Sequence, residues 1–121
     1  MSVRIKAVHS LVGSLLLGAA LAPAYAQYQG PSDIGKASVA EILKNPNDDQ
    51  DVQLRGHLLR QTAHDKYVFS DGTGEIVAEI DDKHFAGQAI DDKVEVEVIG
   101  EVDTSRKRPP EIEVDVLRVV K

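Results

Sequence analysis

Acidic side chains stand among alternating apolar residues in three stretches of this 121-residue chain: EIVAEIDD carries Glu79, KVEVEVIGEV carries Glu95 and Glu97, and EIEVDVLRVV carries Glu113 and Asp115. On an extended chain successive side chains point to opposite faces, so each of these acids lies opposite its Val and Ile neighbours. If the three stretches are neighbours in one sheet, five carboxylates share a surface. Like charges side by side on adjacent strands are mildly destabilising and favour a compensating cation. A divalent ion, a polyamine or a cationic peptide is the chemistry such a surface would serve. The plainer role of the same acids is a solvated face that keeps a small protein soluble.

Other chemistry is sparsely supplied. The chain has no cysteine, hence no thiol nucleophile and no disulfide. It has no G-x-S-x-G, no H-E-x-x-H and no Ser-His pair in a recognisable frame. The acid pairs Asp81-Asp82 and Asp91-Asp92 flank a polar stretch with little apolar surface to raise a carboxyl pKa. The expectation is therefore no enzyme and no cofactor. His57, His64 and His84 are too far apart to form a metal motif, and each reads as an exposed structural histidine. The SDGTGE run at Ser70 to Glu75 lacks the lysine and following helix of a phosphate loop, and Ile76 stands where an EF-hand loop needs glycine. Asp-Gly and Thr-Gly between alternating apolar runs are hairpin signals instead.

The elements that would position these groups follow from periodicity. In KASVAEILKNP, Ser38 and Glu41 have capping-box spacing, Val39, Ile42 and Leu43 share a helical face, and Pro46 stops the helix. From Asp51 the period becomes two. Val52, Leu54, Gly56 and Leu58 alternate with Gln53, Arg55, His57 and Leu59 in a first strand, which Gly56 bends. Residues 61–66 turn the chain, Tyr67 to Phe69 begin a second strand with both rings inward, and Ile76, Ala78 and Ile80 mark a third. Residues 81–92 are irregular, with one helical turn around Phe85. A fourth strand spans 93–102, a charged, proline-closed loop spans 103–110, and a fifth strand ends the chain.

A five-stranded antiparallel domain of this size must hide its edges, and a closed Greek-key barrel does so. The expected fold is all-β: a five-stranded Greek-key OB-fold barrel with a short N-terminal helix. Its strand order, 1-2-3-5-4-1, makes strands three, five and four neighbours. That order gathers Glu79, Glu95, Glu97, Glu113 and Asp115 into the ligand-binding surface expected here.

The first part of the chain has a different character. Arg4 and Lys6 precede the apolar run LVGSLLLGAALA at residues 11–22, which leads to Ala24-Tyr25-Ala26. These are the parts of a secretory signal peptide. The run is shorter than the ~20 residues that span a bilayer, so no membrane insertion of the mature chain is expected. The expected organisation is a signal peptide at 1–26, a flexible lead-in at 27–35 and an OB-fold domain at 36–121. All 20 acids but only 12 of the 14 bases follow Ala26, so the mature charge is 12 minus 20, or −8. Binding of single-stranded nucleic acid needs stacking aromatics along a positive groove. The mature chain has only Tyr28, Tyr67, Phe69 and Phe85, and its one basic cluster is Arg106, Lys107 and Arg108. No nucleic-acid partner is expected.

The signal peptide, QYQGPS, the short helix, VQLRGHLLRQTAHDKYVFSDGTGEIVAEIDDKHF, VEVEVIGEVD and the terminal EIEVDVLRVVK together resemble the YgiW/YdeI-type bacterial OB-fold (BOF) family of periplasmic stress-tolerance proteins. The resemblance spans nearly the whole mature chain. It implies a periplasmic single-domain OB-fold protein in envelope stress tolerance, taking a small or cationic ligand at the OB face. It supplies no catalytic residues. An adaptor that binds an envelope protein through the same face is the alternative.

Overall fold

The structure, a computed structural model, describes residues 35–121, so the signal peptide and the lead-in up to residue 34 lie outside the described residues. A capping box opens helix α1 (Val39–Lys44): the Ser38 hydroxyl accepts from the Glu41 N–H, and the Glu41 carboxylate accepts from the Ser38 N–H, each at 3.1 Å. Six residues are too few for a helix to persist by itself. Packing holds it, because Val39 and Ile42 are buried in the same core as the strands. Leu43, expected on that face, is exposed. No helix among the described residues is long and apolar enough to cross a membrane.

Five strands follow: β1 (Asp51–Ala63), β2 (Lys66–Ser70), β3 (Glu75–Glu79), β4 (Val96–Ser105) and β5 (Arg108–Val119). They pair in the order β1-β2-β3-β5-β4 and close into a barrel, with β1 bonded to both β2 and β4. The all-β OB-type barrel expected from the sequence is the observed fold. Its interior is filled from every strand by the alternating positions, including Val52, Leu54, Phe69, Ile76, Val98, Ile112 and Val114. Each such side chain, once fully buried, contributes roughly 1.5–3 kcal/mol of transfer free energy. Phe69 is enclosed, whereas Tyr67 is half-buried and packs its ring 5.5 Å from that of Phe85.

Three departures from the sequence reading have clear causes. The barrel is not wholly antiparallel, because β3 pairs with β5 in parallel. An odd number of strands cannot close with every neighbour reversed. β1 runs on to Ala63 instead of turning at residue 61, and register shifts at Leu58/Arg60 and Gln61/Ala63 let it curl from β4 onto β2. The expected loop at 103–110 is mostly sheet. The register shift between Asp103 and Ser105 sets Thr104 against Pro109 and Pro110, so the two residues without an N–H fall where the ladder is already interrupted.

Gly56 is where β1 bends closely past the end of β2. A Cβ there would collide with the backbone carbonyl of Ser70. Between β3 and β4, residues Asp82–Phe85 form one 3-10 turn, as the irregular stretch around Phe85 suggested, with the Asp81 carboxylate accepting from the Lys83 N–H at 3.1 Å.

Candidate functional site

Cross-strand register decides which acids meet. On the outer surface Glu79 of β3 stands opposite Glu113 of β5, Glu113 opposite Glu101 of β4, and Glu101 opposite Asp51 of β1. Four carboxylates therefore run side by side across four strands. Asp115 lies two residues beyond Glu113 on β5. Beside them the 3-10 turn and the β1–β2 turn wall an open groove of about 270 Å³. It is lined by the acids Asp65, Glu79, Asp81, Glu113 and Asp115 together with Lys83 and His84.

A cation beside the row is directed elsewhere. Lys66 is the cross-strand neighbour of Glu79, but its ammonium donates to both carboxylate oxygens of Glu111, at 3.0 and 3.2 Å. Glu111 is nearly buried and also faces Arg108 at 3.8 Å, while Arg108 bonds Asp103 at 2.8 Å. Arg108 thus balances nearby acids, leaving Arg106 and Lys107 exposed at the β4–β5 turn. Glu79 titrates higher than an ordinary glutamate because burial disfavours its charge, and Asp65, Glu111 and Glu113 add repulsion against the partial relief from Lys66. Glu101 is raised as well, by desolvation first and then by Asp115, Asp49, Asp51 and Glu113.

Of the five acids expected to share a surface, Glu79, Glu113 and Asp115 do so. Glu97 does not. It lies opposite Arg118 of β5 and Arg55 of β1, with the two guanidinium groups 3.7 and 3.6 Å from its carboxylate and the Gln53 amide donating to it at 2.8 Å. Its side chain is only 11% exposed, so its charge is already answered within the sheet. Glu95 precedes β4 and is exposed outside the paired row. Glu101 and Asp51 take their places. Both were within reach of the sequence, since Glu101 continues the alternation of Glu97 and Asp51 is out of phase with buried Val52.

The turn between β2 and β3 has a separate role. Asp71 accepts from the Val39 N–H at 3.0 Å through one carboxylate oxygen, and from the Thr73 N–H at 2.9 Å and hydroxyl at 2.6 Å through the other. The Thr73 hydroxyl in turn accepts from the Ala40 N–H at 3.0 Å. Two free donors at the start of α1 are thereby met by a loop more than thirty residues away. Burial works to raise the Asp71 pKa, but the hydrogen bonds from Thr73 and Val39 outweigh it and hold the carboxyl below its ordinary value. Gly72 adopts φ +91°, which a side chain would strain. The His64 imidazole pairs with Asp82, at 3.1 Å and in the open. Among the described residues, no three His, Asp or Glu side chains form a group that could hold a metal ion.

Residues 19–121 match the family described as Bacterial OB fold (BOF) protein. The chain is 34% identical over 96 residues to the calcium-regulated OB-fold protein CarO of Pseudomonas aeruginosa, covering 79% of this chain and 82% of CarO. It is 37% identical over 87 residues to protein YgiW of Escherichia coli K12, covering 72% of this chain and 65% of YgiW, slightly under two thirds. The solved structure of E. coli YgiW superposes with a TM-score of 0.65 at 36% identity, covering 79% of this chain and all of that one. A replication protein A heterotrimer bound to single-stranded DNA shares the fold alone, with a TM-score of 0.53 at 20% identity over 69% of this chain and 78% of that chain.

Proposed function

Since the chain belongs to the bacterial OB-fold (BOF) family, we propose that it is an exported, non-enzymatic binding protein of the bacterial periplasm whose outer barrel surface holds a polycationic ligand in the service of envelope stress tolerance. The observation that carries this reading is the row Glu79, Glu113, Glu101 and Asp51, joined by Asp115 and bordered by the acidic groove. Such a row imposes a repulsive cost on the folded sheet that a bound cation would relieve.

The type of cation follows from the spacing. A chelated ion needs several oxygens converging at about 2.3–2.6 Å, and no three acids among the described residues form such a group. A polyamine or a lysine-rich peptide carries its charges several ångströms apart and matches a row better. Such binding is weak per charge and strongly screened by salt. The relative CarO is described as calcium-regulated, which makes Ca²⁺ the natural competitor to test.

Export is supported by Arg4, Lys6, the apolar run at 11–22 and the Ala24-Tyr25-Ala26 site. The absence of nucleophile motifs from the sequence supports a binding role over catalysis. The stress role rests on the family resemblance.

Calorimetric titration of the mature chain with spermine, a lysine-rich peptide and Ca²⁺ at low salt tests the site. Heat from spermine that is reduced in Glu79→Gln/Glu113→Gln but kept in Glu75→Gln supports it. No saturable heat from spermine or the peptide, or heat unchanged in the double variant, overturns it.

A further inference from the structure

We draw no further inference here: the strongest candidate, the open groove between β5, the 3-10 turn at Asp82–Phe85 and the β1–β2 turn, is lined by a cluster of carboxylates that belongs to the surface already described, and nothing else in the structure points to a second ligand within it.

Discussion

Glu79 and Glu113 are direct partners across the parallel β3–β5 pairing, two carboxylates on adjacent strands of the barrel's outer surface. Glu113 has a second acidic partner, Glu101, on its other side. The arrangement raises the free energy of the folded state in the absence of a cation.

Glu113→Gln should therefore stabilise the protein. Removing the central charge relieves repulsion on both sides, worth about 0.5 kcal/mol in total at the scale of cross-strand pairs. For a domain of this size that is a rise in Tm of roughly 2–4 °C. Thermal melts at low salt would register it, and the gain should shrink in 1 M salt, where the Debye length falls to about 3 Å.

Stability should rise on mild acidification and fall again in stronger acid. Glu79 and Glu101 are raised in the folded state, so the fold binds their protons more tightly than the unfolded chain. Their contribution is complete below the unfolded glutamate value near 4.5 and is lost as pH rises through the higher folded values. Asp71 and Asp48 are lowered, Asp48 by hydrogen bonds from the Thr104 N–H and hydroxyl. Their contribution is present above 3.8 and is lost as pH falls through their folded values. Urea unfolding from pH 7 down to pH 2 should show a maximum between the two ranges. A steady decline from neutrality would contradict the sign assigned to the glutamates.

Asp71→Ala should destabilise the domain by about 1–2 kcal/mol, the scale of a lost helix cap. Both the Val39 N–H and the Thr73 groups lose their acceptor. The urea midpoint should drop with an unchanged m-value, because the surface exposed on unfolding stays the same. Asp71→Asn retains one carbonyl acceptor and should recover part of the loss.

Gly56→Ala should be costly despite the small change in volume. The added carbon meets backbone at Ser70, which cannot move aside as a flexible side chain would. The neighbouring His57–Ser70 pairing must shift, at a cost of about 1–3 kcal/mol, typical of forced overpacking. Comparing guanidinium unfolding of this variant with that of Gly87→Ala, where a Cβ meets open space but φ is +75°, separates the close approach from loop strain.

Glu97→Gln should leave spermine binding at its original level and lower stability only modestly. A buried carboxylate between two guanidinium groups invites an estimate of 3–5 kcal/mol for breaking the cluster. Arg55 and Arg118 are each more than half exposed, however, so water takes up the charge that Glu97 releases. About 1 kcal/mol is the appropriate scale. Calorimetry of this variant beside Glu113→Gln separates the two acids that the alternation pattern treats alike.

Local signals were legible wherever one side chain or one period sufficed. The Ser38–Glu41 cap, the strand alternations and the Asp71–Gly74 turn all depend on residues within a few positions of one another. The strand order could be inferred as well, because closing a small five-stranded barrel leaves few topologies. Strand ends were less legible. The continuation of β1 to Ala63 and the entry of Pro109 and Pro110 into β5 depend on register shifts against partner strands.

By itself, then, the sequence determined which acids point outward, since side-chain direction along a strand has a period of two and needs no partner. Only the tertiary structure decided which of them meet. Sliding β4 along β5 by two residues preserves every inward and outward assignment while exchanging each cross-strand neighbour. The observed register sets Glu97 against Arg118 and Glu101 against Glu113, so two glutamates four residues apart on one strand end in opposite electrostatic surroundings.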